Sequence, residues 1–165
     1  MNKIVLLLLF IFSFQIINAQ INRNHDAGKW ADSIFNTLTD DQRIAQLMIV
    51  RESSFSSRGP VYYDSLVKAL ITQYNIGGIC LFQGTPEKQA GFINEFQSMA
   101  KTPLMVCIDG EWGLGMRLEG VRPLKHAMML GAMADSQLVY DYGRLVGRQM
   151  KRMGIQVNYA PVVDI

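Results

Sequence analysis

The chain has 165 residues, 49% of them hydrophobic and 18% charged, with a formal net charge of +2. That is ordinary globular composition, long enough for one domain with its own core. With no Lys/Arg cluster it lacks the electrostatic footprint of a phosphate binder, so no nucleic-acid partner is expected.

From the N-terminus, Lys3 and the apolar run Ile4 to Phe14 (IVLLLLFIFSF) read as the charged and hydrophobic regions of an export signal. Cleavage is expected after Ala19, which makes 1–19 a signal peptide and 20–165 the mature chain, periplasmic or extracellular. The run is short for a membrane span, no cysteine follows it, and no later stretch reaches spanning length, so no stable membrane insertion is expected.

Residues 28–38 (GKWADSIFNTL) read as a helix with Trp30, Ile34, Phe35 and Leu38 on one face. Thr39 opens a capping box with Gln42, starting a short helix through Ile44. A first strand is expected over 47–50 (LMIV), followed by a polar loop, RESSFSSRGP. A helix over 62–74 carries Leu66, Leu70 and Tyr74 at fourfold spacing. The second strand is IGGICLF (76–82). Thr85-Pro86 caps a helix running to about Ala100. The third strand is LMVCID (104–109). After the 110–126 loop, AMMLGAMAD reads as a short buried helix, and Asp135 caps a long one ending at Gly154. That long helix has a stripe of Leu138, Tyr142, Leu145, Val146, Met150 and Met153. IQVNYAP (155–161) is the fourth strand. Cys80 and Cys107, inside strand runs, read as buried thiols rather than a disulfide framework.

Strands alternate with helices, and three strands are continuous apolar runs, the pattern of parallel strands covered on both faces. A doubly wound sheet and a (β/α)8 barrel both fit. Four strand–helix units are about half a barrel. The sequence stops at Asp164-Ile165, directly after a strand, which reads as the N-terminal part of something longer.

In both parallel architectures ligands bind at the C-terminal ends of the strands. Asp109, Gln83 and Asp164 fall at three such ends. Asp109 and Glu111, spaced by two, point the same way if the backbone stays extended, about 6 to 7 Å apart. Two acids on one short segment cannot easily flank a scissile bond from opposite sides. The favoured arrangement is one acid on a ligand and the other paired with Arg117. Trp112 is either a sugar-stacking platform or packing. GLGMRL lacks the third glycine of a dinucleotide loop, and the strand ends too early for that turn. There is no G-x-S-x-G elbow. Two histidines without a ligand spacing give no metal, and no cofactor is expected.

Five stretches in fixed order complete the reading: IAQLM (44–48), IGGICLFQGTP (76–86), PLMVCIDGEWGLGMRLEG (103–120), MMLGAMAD (128–135) and GIQVNYAPVVDI (154–165). Together they resemble the N-terminal domain of glycoside hydrolase family three, and are most similar to its bacterial β-N-acetylhexosaminidase branch. The resemblance covers nearly all of 30–165. It implies a (β/α)8 TIM-like barrel of which the first half is present. It also implies a retaining exo-glycosidase that removes terminal β-linked N-acetylglucosamine, with N-acetylglucosamine-containing glycans or cell-wall fragments as partners; the alternatives are a β-glucosidase or xylosidase of the same family, or a non-catalytic sugar-binding module. Asp109 falls on the family's aspartate that binds sugar hydroxyls. Glu111 and Arg117 fall on the acid and arginine of the same loop, and Asp164 on a strand-end aspartate of structural role. Glu111-Trp112-Gly113 departs from the family's frequent E-G-G. Lys125-His126 is not the family's Lys-His motif. That motif, the nucleophile and the general acid fall beyond Ile165, so no catalytic residue is assigned within the chain.

Overall fold

A computed structural model describes residues 25–162. The expected signal peptide and Asp164 lie outside the described residues. Two compact units divide between Thr37 and Leu38. In the first, helix α1 (His25–Phe35) ends three residues before the expected position. Leu38, placed on its face by the sequence, is instead a core residue of the second unit.

The second unit opens with α2 (Asp40–Ala45), whose capping box forms as read: Thr39 Oγ1 accepts from the Gln42 amide, and Gln42 Oε1 accepts from the Thr39 amide. Strand β1 (Ile49–Arg51) starts later than expected, because Leu47 and Met48 complete the turn leaving α2. The stretch read as a polar loop is a hairpin, β2 (Ser53–Ser56) against β3 (Gly59–Tyr62). Its serines hide the first strand, since Phe55 alone carries β character there and Val61 and Tyr62 do so in the second. Backbone pairing from Ser53↔Tyr62 to Ser56↔Gly59 closes it, with Gly59 at φ +105°. Then come α3 (Asp64–Tyr74), β4 (Gly78–Leu81), α4 (Pro86–Met99) and β5 (Met105–Ile108). A 3-10 turn (Leu114–Met116), α5 (Ala127–Gly131), α6 (Ser136–Arg152) and β6 (Val157–Asn158) follow. The caps Thr85 and Asp135 accept from backbone amides as their sequences require.

The sheet runs β1-β4-β5-β6, all parallel, in chain order with no reversal. A doubly wound sheet reverses its order at a switch point. Sequential order is the arc of a (β/α)8 barrel.

The two faces of the arc differ, which corrects the expectation of cover on both. Ile79, Leu81, Val106 and Ile108, all fully buried, face the helices and pack with Val67 and Ile71 of α3 and Ile93 and Phe96 of α4. The alternate residues face inward. There Cys80 and Cys107, register partners and both free thiols, are buried, but Ile49, Met105 and Tyr159 are 40–48% exposed. In a barrel the inner face is filled by side chains from the whole ring of strands, which an arc of four does not supply. The same holds on the outside near β6. Of the expected α6 stripe only Met150 is buried, with Leu138 and Leu145 exposed. The short helix α5 has no buried residue, and its Met128 is 89% exposed. Among the described residues no helix is long and apolar enough to cross a membrane.

Candidate functional site

Four strands end on one rim. Arg51 is the last residue of β1, while Phe82, Asp109 and Tyr159 follow β4, β5 and β6. The pleat carries Arg51, Cys80 and Cys107 to the inner face, because they are register partners across three strands. Two residues further on, Phe82, Asp109 and Tyr159 continue that face.

After Ile108 the chain turns, and contacts distant in sequence set the turn. The Asn158 side chain accepts from the Gly110 amide at 2.9 Å and donates to its carbonyl at 3.2 Å. Gln149 of α6 accepts from the Leu114 amide at 3.1 Å. Glu119 donates to the Gly84 carbonyl at 2.8 Å, tying the loop to the end of β4. At the far side Leu124 donates to Trp112 and the Tyr142 hydroxyl donates to Lys125.

This path delivers Arg117 to Asp109. Arg117 Nε donates to the Asp109 carbonyl at 2.7 Å, and Nη2 pairs with Asp109 Oδ2. Two donors on one residue fix both backbone and carboxylate, a contact a lysine cannot reproduce. Asp109 Oδ1 has no partner among the described residues, and the side chain keeps 32% of its surface open. The guanidinium of Arg117 lies over the Phe82 ring at 5.1 Å, and that of Arg51 over the same ring at 4.9 Å. A cleft of about 590 Å³ opens beside them, lined by Ile49, Arg51, Cys80, Phe82 and Tyr159. Burial pushes the Cys80 thiol up to about 11. A hydrogen bond with Cys107, then burial, pushes the Tyr159 phenol up to about 12. Both therefore stay neutral in the physiological range.

The expected site residues do not all converge. Arg117 pairs with Asp109 itself, not with a second acid. Glu111 does not share the direction of Asp109, because the backbone is no longer extended there. It lines a separate groove along α6, with Tyr142, Val146 and Met150. Trp112 is half-buried, with its indole stacked on His126 at 4.2 Å and 11°. One face of a would-be stacking platform is thus already occupied. Gln83 is structural: its amide donates to Ser53 Oγ at 3.0 Å and its carbonyl accepts from Gln89. Among the described residues no cluster of three or more His, Cys, Asp or Glu could hold a metal.

The loop reading concealed Glu52 and Arg51. Glu52 is fully buried beneath the hairpin, with Oε2 accepting from Gln89 Nε2 at 2.9 Å. Its Oε1 has no partner, nor do Oε1 of Gln83 and of Gln89. Burial raises its pKa above the ordinary 4.5, against the hydrogen bonds from Gln89 and Ser53 and the nearby charge of Lys88, with Asp64 adding to the rise. A raised carboxyl keeps its proton to higher pH in the folded chain than in the unfolded one. Its contribution is therefore fully present below about pH 4.5 and is lost as pH rises through the folded value. Glu52→Gln keeps the shape and removes the titration. Its melting temperature, relative to wild type, is expected to rise between pH 4.5 and pH 8. Parallel profiles for the two proteins would show that Glu52 does not titrate in this way.

The model of a family described as the glycosyl hydrolase family 3 N terminal domain matches residues 39–165. A beta-N-acetylglucosaminidase/beta-glucosidase of Cellulomonas fimi is 24% identical over 147 residues, covering 89% of this chain and 25% of that protein. The beta-hexosaminidase LpqI of Mycobacterium tuberculosis is 29% identical over 134 residues, covering 78% and 32% respectively. Beta-hexosaminidase A of Pseudoalteromonas piscicida is 32% identical over 109 residues, covering 58% and 18%. Among solved structures, the beta-glucoside phosphorylase BglX superposes with a TM-score of 0.72 at 18% identity, over 88% of this chain and 24% of that one. The chain thus spans a third or less of the length of these relatives.

Proposed function

The chain belongs to glycosyl hydrolase family 3, and on that premise we propose that it supplies the sugar-holding rim of an exported, retaining exo-glycosidase. The reaction is removal of a terminal β-linked N-acetylglucosamine from glycans or cell-wall fragments. The observation that carries this reading is Asp109, clamped by Arg117 at a strand end with Oδ1 left open. A carboxylate that accepts from sugar hydroxyls makes the stronger, charge-assisted kind of hydrogen bond. A ring fixed in this way lets binding energy remote from the anomeric carbon act on the reacting bond. The nucleophile and the general acid belong, in this proposal, to sequence following Ile165. Glu111 lines the separate groove along α6, so it is not placed as the second acid of a pair flanking a glycosidic bond at Asp109.

A second reading keeps the chemistry and changes the sugar to glucose or xylose. Its glucose form is favoured by the double name of the Cellulomonas fimi relative. A panel of aryl β-glycosides separates the two, using the whole polypeptide encoded by the gene. Release from the N-acetylglucosaminide at ten times the rate of the glucoside and xyloside supports the first reading. The reverse order supports the second, and release from none of them defeats both.

A further inference from the structure

Two arginines share one phenyl ring on the rim, and only one of them is neutralised. Arg117 has Asp109. Arg51 has no carboxylate within 4.0 Å among the described residues, and it is exposed. The acid next to it in sequence, Glu52, is turned away into the hairpin network and fully buried.

Arg51 is nevertheless held in place. Its Nε donates to the Ser53 carbonyl at 3.1 Å, and its guanidinium lies 4.9 Å from the centre of the Phe82 ring. Both terminal nitrogens are left without a partner among the described residues. A guanidinium pinned through Nε and stacked on a ring presents its terminal N–H pair in a fixed fork, which matches the two oxygens of a carboxylate or phosphate. Little rotamer entropy remains to be lost on binding. The cleft in front of it is walled by Ile49, Cys80 and Phe82, side chains of low polarity that strengthen a charge–charge contact. The one hydroxyl lining it, Tyr159, stays neutral, so it does not repel an anion.

We propose that Arg51, with Phe82 behind it, is an oxyanion subsite on the rim beside Asp109, taking a sugar carboxylate or an inorganic phosphate. This goes beyond the glycosidase reading, because it stands on Arg51 and its cleft whichever neutral ring Asp109 holds. The two guanidinium carbons lie at most about 10 Å apart across the shared ring.

The test is thermal melting of the whole polypeptide at constant ionic strength, with sodium phosphate, sodium glucuronate or glucose. At about ten times its Kd an anion raises Tm by roughly 1–3 °C. The shift is expected to be lost in Arg51→Gln and at least halved in Arg51→Lys, which keeps the charge without the fork. The lysine variant serves alone if the glutamine variant does not fold. A response to phosphate only assigns the site to the inorganic ion, a response to glucuronate only assigns it to a sugar carboxylate, and a response to both supports a general oxyanion site. No anion response, an equal response to glucose, or a full shift retained in either variant overturns the proposal. Release of the aryl N-acetylglucosaminide, followed in the same preparation, reports separately on the glycosidase reading.

Discussion

Asp109→Asn is expected to lower kcat/KM on the preferred aryl glycoside by roughly 30- to 1,000-fold in the whole polypeptide. The substitution keeps the shape and removes the charge. Under the proposed function it weakens the bond that Oδ1 would offer to a sugar hydroxyl from the charge-assisted to the neutral class, and it leaves Arg117 without its counter-charge at a site only 21% exposed. Losses of about 2–4 kcal/mol result when a hydrogen-bonded charged group in such a place loses its partner, and each 1.36 kcal/mol is tenfold in rate. Arg117→Ala should act in the same direction, since Asp109 then loses the two contacts that aim it. The readout is steady-state kinetics beside a melting curve that establishes folding. A folded Asp109→Asn protein within threefold of wild type would remove the sugar-holding role from this residue.

Gly77→Ala is expected to be the most damaging single methyl in the chain, at about 3–5 kcal/mol, a large part of the total stability of a small domain. A Cβ there would stand 1.9 Å from the Gln46 carbonyl oxygen and 2.6 Å from its carbon, both backbone atoms that no rotamer change can move. The Gly77 amide is itself bonded to Ala45 at 3.0 Å and Met48 at 3.2 Å, so the turn leaving α2 is seated directly on β4. Relieving the overlap separates the first two strands of the arc. Gly91→Ala is the matched contrast: it is exposed in the middle of α4 with nothing within 4 Å, and should stabilise by up to about 1 kcal/mol. Chemical denaturation of both variants decides the matter. Equal stabilities would mean that the close approach at Gly77 relaxes at no cost.

The site was legible in proportion to how local its causes are. Asp109 could be placed because an apolar strand run ends on it, and strand ends are where parallel sheets hold ligands. That Arg117 would hold Asp109 rather than Glu111 was not legible. The choice is made by the turn after Ile108, and Asn158 and Gln149 hold that turn from 48 and 35 residues away. Glu111 faces the α6 groove for the same reason. Arg51 escapes the sequence reading because a strand over 47–50 ends one residue before it and assigns the arginine to the polar loop.

What the sequence settled by itself is what short-range chemistry settles. The caps at Thr39, Thr85 and Asp135 are hydrogen bonds spanning two or three residues, so the side chain that makes each one sits in the same few letters. The buried strands announce themselves through uninterrupted apolar runs, and the family through five short stretches in order. Only the tertiary structure decided that RESSFSSRGP pairs into a hairpin, that one face of the sheet is closed and the other open, and which acid meets the arginine. Each of these depends on partners brought together by folding, and a side chain's direction at a turn is set by the elements that pin the turn, not by the residues within it.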